Sequence, residues 1–321
     1  MLNNGGVSSS VAGLNSAVDL QKMDRPCELC PRRCKARREL GERGSCGADD
    51  TLQVARAALH FWEEPPISGT QGSGTVFFSN CSMRCCYCQN AAISRGEVGR
   101  AISVARLAET FLELQSQGAH NINLVTPTHY IRQIIAALDK AKQAEPALHI
   151  PVAYNTSGYE LVSSIKSLDP YIDIYLTDFK YASPVLAAEY SDAPDYPEVA
   201  LDALEEMVAQ VAQKGGYQLD ENGILRKGVI VRHLVLPGHV DDSLLVLRRV
   251  FSAVGNQVCY SLMNQYTPMP SSPPQLQRKL SEREYSTLID FALDLGITNS
   301  FMQEGDTAEE SFIPPFDLSG L

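Results

Sequence analysis

Nine cysteines are the residues here best suited to chemistry, and eight of them fall into two tight groups. In NCSMRCCYCQN, Cys81, Cys85 and Cys88 form a C-x3-C-x2-C loop directly after the apolar run VFFSN. Three thiolates at this spacing bind three irons of a 4Fe-4S cube. Ordinary clusters use four, so the loop leaves one iron open to a small molecule. A zinc knuckle or a set of buried reduced thiols is the plainer reading of the same residues. Cys86 is read as a bystander whose sulfur points away, and Tyr87 as an aromatic lid or as simple core packing.

The second group, Cys27, Cys30, Cys34 and Cys46, reads as C-x2-C-x3-C-x11-C and puts four thiolates within reach of one tetrahedral metal. Zinc is the first choice, an auxiliary iron-sulfur cluster the second, and unliganded thiols the third. Arg25, Arg32, Arg33, Lys35, Arg37, Arg38 and Arg43 crowd the same segment, where they offset thiolate charge or offer a docking face to an acidic partner. Close spacing without a secretion signal favours metal over disulfides. Cys259 opens an apolar run and is read as core.

These groups need a scaffold, and 321 residues suffice for one large α/β domain with a small appendage. A net charge of -11 excludes general binding to nucleic acid or anionic membrane. No stretch approaches the roughly 18 continuous apolar residues of a membrane span, so a cytoplasmic location is expected. Residues 1–23, rich in Gly, Ser and Asn, are expected to form a flexible tail. Residues 24–50 are short of large apolar side chains and depend on bound metal to fold as a cysteine knuckle.

Residues 51–321 alternate β-rich and amphipathic stretches, the pattern of repeated strand and helix units on a parallel sheet. Strands are expected at 75–80, 121–126, 151–156, 172–179, 229–236 and 259–266. Helices are expected at 104–117, 129–143, 159–168, 198–214, 242–254 and 281–295. Outer strands at 51–64 and 297–305 are further candidates. Six such units build an open doubly wound sheet or a partial barrel, and either carries its chemistry at the C-terminal strand ends. Cys81, Thr126, Thr128, Asn155, Asp178, Lys180 and Gln265 all lie at or just after expected strands.

This loop, with the strand order around it, resembles the radical S-adenosylmethionine (radical SAM) superfamily, specifically its pyruvate formate-lyase activating-enzyme branch, over about residues 61–305. FWEEPPISGTQGSGTVFFSNCSMRCCYCQN also resembles less characterised relatives that carry an N-terminal cysteine knuckle. The resemblance implies an α/β fold, a partial (β/α)6 TIM-type barrel with a small N-terminal cysteine-rich metal-binding segment. It implies a 4Fe-4S cluster, S-adenosylmethionine on the open iron, and reductive cleavage to a 5'-deoxyadenosyl radical. An oxidoreductase of this kind takes hydrogen from a glycine of a partner, a glycyl radical enzyme or other protein substrate. Its electrons come from a donor such as flavodoxin or ferredoxin. Radical modification of a small molecule or another protein site, and a non-enzymatic iron-sulfur or zinc protein, are the alternatives.

By the same resemblance, Asn155 and Thr156 in NTSG touch the ribose, Asp178 and Lys180 in TDFK lie near the methionine carboxylate, and Arg232 in RHLVLPG contacts S-adenosylmethionine. The chemistry agrees, since a carboxylate needs cations and hydroxyls need amide or hydroxyl partners. The plainer readings are a surface ion pair and a turn residue. The family's Gly-Gly-Glu turn is replaced by TPTHY, which leaves the methionine amine to Thr126 and Thr128 or to backbone carbonyls. Gln265 in MNQY stands where activating enzymes often have histidine. No cysteine-rich insert follows Cys88. His129 is read as facing the site or meeting solvent at a helix start, His233 as pointing away from the site, and Glu304 as reaching substrate or serving structure.

Overall fold

The alternation of strand and helix patterns is realised as one sheet with helices on its outer face in the computed structural model, which describes residues 26–270, 272–302 and 314–321. The expected tail and Glu304 lie outside the described residues. The first elements are β1 (Gln53–His60), α1 (Pro65–Ser68), β2 (Ser73–Phe78), α2 (Ala91–Ser94), β3 (Arg100–Ala101) and α3 (Val104–Ser116). Then come β4 (Ile122–Val125), α4 (Ile131–Lys142), β5 (Val152–Thr156), α5 (Val162–Leu168), β6 (Ile174–Asp178), α6 (Pro184–Ser191) and α7 (Tyr196–Gln213). The chain continues through β7 (Gln218–Leu219), β8 (Leu225–Leu234), α8 (Val240–Val254), β9 (Cys259–Met263), α9 (Glu282–Leu295) and β10 (Ser300–Met302).

The sheet runs β10-β9-β8-β6-β5-β4-β2-β1-β3, with β7 attached to β8. From β2 to β10 every neighbouring pair is parallel, whereas β1 returns antiparallel along β2. Among the described residues β3 and β10 do not pair with each other, so the parallel strands form an arc, the partial barrel of six β/α units. All six expected strands are present, and both outer candidates prove to be strands, β1 and β10. Helix α6 falls in a stretch where the sequence pattern gave none, and α4 starts only after a 3-10 turn at Thr128–Tyr130.

Alternation along the strands separates two apolar layers. Val152, Tyr154, Tyr175, Val229 and Val231 face outward and pack with Phe111, Ile134, Leu138, Leu204 and Met207 of the helices. Ala153, Ile174, Leu176, Ile230 and Cys259 face inward, joined by Ile67 of α1. The sequence reading of Cys259 as a core residue agrees with this. The inner face turns polar towards the C-terminal strand ends, where Asn155, Asp178 and Arg232 follow.

Residues 26–50 contain one 3-10 turn, Arg38–Leu40, and lie against the barrel through side chains. Arg38 donates from Nε to the Asp49 carbonyl at 3.0 Å and from Nη1 to the His129 carbonyl at 2.5 Å. Ser164 of α5 donates to the Leu29 carbonyl at 2.7 Å. Among the described residues no helix is long and apolar enough to cross a membrane.

Candidate functional site

Directly after β2 the chain must turn sharply to bring three sulfurs to one side. Asn80 and Arg84 adopt left-handed φ values of 76° and 49° to do so, a conformation Asn tolerates better than most residues. The Met83 N–H donates to Cys81 Sγ at 3.4 Å, and the Cys88 N–H to the Cys85 carbonyl at 3.2 Å. Cys81, Cys85 and Cys88 line a cavity of about 280 Å³, and no fourth cysteine lines it. Burial, then the charge of Cys85, pushes the Cys81 thiol up to about 12, and burial raises Cys88 as well. Thiols gathered this way ionise when a cationic centre compensates them.

Among the described residues no three His, Cys, Asp or Glu side chains converge on a single-ion site. Three thiols that line one cavity suit a cubane, which spreads its ligands over separate irons. The residues therefore fit a three-cysteine 4Fe-4S cluster. In the knuckle, burial pushes Cys30 up to about 12, and the charges of Cys46 and Cys27 add to it, so these thiols do sense one another. Cys34 and Cys46 flank Gly44, where an added Cβ would lie 3.0 and 3.5 Å from their sulfurs. They are gathered, but they do not form a closed single-ion site.

In the same cavity, strand register assembles a charged wall, with Asp178 of β6 directly beside Arg232 of β8. Asp178 accepts from Lys180 Nζ at 2.5 Å and from Arg232 Nε at 2.9 Å. Arg232 Nη2 donates to Asn155 Oδ1 at 2.7 Å, while Nη1 lies 3.4 Å from Glu63 Oε2. Burial opposes ionisation of Asp178, yet the cations of Arg232 and Lys180 hold its carboxyl below the usual range. Lys180 is held up against burial by Asp178 first and then by the negative charge of Cys85, which ties this wall electrostatically to the cysteine loop. Glu63, whose Oε1 accepts from Asn123 and Asn155, is raised by burial. Gly158, at φ +80°, lets the chain pass beneath: a Cβ there would lie 2.3 Å from the Asp178 carbonyl oxygen.

Tyr87, Thr126, Asn155, Thr156, Asp178, Lys180, Arg232 and Gln265 all line the cavity with the three cysteines. Thr128 does not. It is 2% exposed, and its hydroxyl donates to Glu160 Oε1 at 2.6 Å beneath the helices. The Thr156 hydroxyl donates to the same carboxylate, leaving Asn155 as the strand-end amide that faces the cavity. His129 is buried with Nε2 at 2.7 Å from the Ser79 carbonyl, and so neither faces the site nor meets solvent. His233 points outward as expected, with Nδ1 at 2.7 Å from the Phe179 carbonyl. Cys86 does not line the cavity.

Sequence reasoning missed Glu63, Ser191 and Tyr181, and it read Arg32 only as one of the cations that offset thiolate charge or offer a docking face. Ser191 Oγ donates to Cys85 Sγ at 3.0 Å from the end of α6. Arg32, in the cysteine knuckle, donates to the Ser82 carbonyl at 3.0 Å and the Ser191 carbonyl at 2.7 Å. The signal for Arg32 was its place among crowded arginines, whereas Glu63 in FWEEPP carried none.

A family model for the radical SAM superfamily matches residues 75–249, more than half of the chain. The chain belongs to the radical SAM superfamily. That family implies a 4Fe-4S cluster and S-adenosylmethionine, in agreement with the thiol loop and the cations that line one cavity. An uncharacterized protein of Methanocaldococcus jannaschii is 26% identical over 295 residues, covering 87% of this chain and 78% of that one. Among solved structures, methylornithine synthase (PylB) aligns with 71% of this chain and 72% of its own, at 14% identity and a TM-score of 0.45.

Proposed function

We propose that this radical SAM protein cleaves S-adenosylmethionine reductively and takes hydrogen from a glycine of a partner protein, so activating that partner. The observation that supports cleavage best is the cavity itself, which Cys81, Cys85 and Cys88 line together with Lys180 and Arg232. When bound to those thiolates, a reduced 4Fe-4S cluster supplies the electron that breaks the bond from the sulfonium sulfur to the ribose 5' carbon. Lys180 and Arg232 orient the methionine carboxylate, and Asp178 holds both cations in place. Asn155 offers its amide to ribose hydroxyls, and Thr126, which lines the same cavity, offers its hydroxyl to the methionine amine. Tyr87 closes the loop side of the cavity.

The glycine target rests on the likeness of about residues 61–305 to the pyruvate formate-lyase activating branch, and electrons would come from flavodoxin or ferredoxin. The knuckle thiols Cys27, Cys30, Cys34 and Cys46 are proposed to take zinc or a second cluster once ordered by it.

Anaerobically reconstituted, reduced protein should release 5'-deoxyadenosine from S-adenosylmethionine; protein that binds iron but releases none would overturn the cleavage. Deuterium moving from a labelled partner glycine into that product supports the activase reading, and turnover without such transfer points to a small molecule or another protein site. Replacing Cys81, Cys85 or Cys88 with alanine should abolish the brown absorbance and the cleavage, whereas Cys86→Ala should spare both. Cys27→Ala should release zinc and leave that absorbance intact, whereas loss of iron from this variant would mean that the knuckle holds a second cluster.

A further inference from the structure

The end of helix α6 is built into the cysteine loop. The Cys86 N–H donates to the Tyr190 carbonyl at 2.9 Å, and Ser191 Oγ to Cys85 Sγ at 3.0 Å. Arg32 bridges the same two segments, donating to carbonyls of Ser191 and Asp192 on one side and Ser82 on the other. The last carbonyls of a helix lack partners within it, and here the loop and Arg32 supply them.

Behind Ser191 stands a line of buried hydroxyls. Tyr181 Oη lies 2.8 Å from Ser191 Oγ, and Tyr87 Oη 2.7 Å from Tyr181 Oη. Because Ser191 spends its proton on sulfur, its oxygen accepts from Tyr181, whose oxygen in turn accepts from Tyr87. Each hydroxyl thus polarises the next towards Cys85. Burial raises Tyr181 and Tyr87 well above the ordinary tyrosine value, so both keep their protons at any working pH.

We propose that Ser191, polarised by Tyr181 and Tyr87, is a positioning residue that raises the reduction potential of the cluster held by Cys85. The inference rests on the three-cysteine cluster reading above. One-electron reduction adds negative charge that spreads onto the ligand sulfurs, and a donor aimed at one of them stabilises the reduced form more than the oxidised form. The electron comes from the external donor, no covalent bond changes, and every hydroxyl proton stays where it is.

The test is an EPR-monitored redox titration of wild type, Ser191→Ala, Ser191→Thr and Tyr181→Phe, each reconstituted anaerobically and reduced with dithionite. Ser191→Ala should move the midpoint to more negative potential, with about tenfold less reduced cluster at a fixed potential, ~59 mV for one electron. Tyr181→Phe should move it the same way by less, and Ser191→Thr should stay with wild type. Coincident midpoints would overturn the proposal. So would iron lost from Ser191→Ala beside an unshifted Tyr181→Phe, since that makes Ser191 structural. A wild-type protein with no cluster signal would instead sink the cluster reading and this proposal with it.

Discussion

Arg232 serves three partners at once: the carboxylates of Asp178 and Glu63 and the amide oxygen of Asn155. Arg232→Met would leave Glu63 without its cation and Asp178 with Lys180 alone, a change that destabilises by up to about 3–5 kcal/mol where a buried pair is broken. Denaturant unfolding should show that loss, and titration calorimetry should show S-adenosylmethionine affinity falling at least tenfold. Lysine should not rescue it, because one ammonium cannot reproduce the fork that meets Asp178 through Nε and Asn155 through Nη2. Asp178, Lys180 and Arg232 were readable in the sequence because they stand at strand ends, where two-residue alternation fixes which side chains face in. Glu63 was not, because it follows β1, which leaves the sheet beside the start of β2 and so delivers its acid from the opposite end. Thr128 was misplaced for a local reason. The chain turns at Thr126 with φ 57°, alternation stops there, and Thr128 swings beneath the helices to Glu160.

Helices and turns fix how firmly those residues are presented, and Gly158 offers a clean measurement. Its φ of +80° and the Asp178 carbonyl 2.3 Å from a built Cβ both oppose a side chain. Gly118 has a similar φ of +89° but nothing within 4 Å, so Gly118→Ala should cost only the left-handed penalty, about 1–2 kcal/mol. Gly158→Ala should cost clearly more and weaken S-adenosylmethionine binding, whereas equal unfolding free energies for the two variants would show that the carbonyl yields. The strands and most helices were legible because a half-buried strand repeats every two residues and an amphipathic helix every 3.6. Helix α6, PVLAAEYS, was not, since eight residues that begin with five apolar ones show no helical stripe. Its Ser183 cap, which accepts from the Leu186 N–H at 3.4 Å, and the following Pro184 were the available start signals. Because α6 was unseen, Ser191 was unseen with it.

The whole molecule carries buried groups whose protonation differs between the folded and unfolded chain, so its stability must depend on pH. His233, outward of the wall, is neutral and buried, with its value pulled down to about 4 by burial. His129 behaves alike, at about 3. Between an unfolded value of about 6.5 and these folded values, the unfolded chain binds protons that the folded chain refuses. Their contribution is therefore complete above about pH 6.5 and is lost as pH falls towards 4. Glu160 works the other way: burial raises it to about 7, so the folded chain holds a proton the unfolded chain sheds, and its contribution is lost as pH rises through that value. The opposed slopes place maximum stability near neutrality, with the histidines dominating the acid side. His233→Asn keeps a donor for the Phe179 carbonyl, now at 2.7 Å from Nδ1, while removing the titration. From pH 7 to pH 5, wild type should lose about 2 kcal/mol more than this variant in denaturant unfolding. Parallel pH curves for the two proteins would mean that His233 charges freely in the folded state and that burial does not hold it neutral.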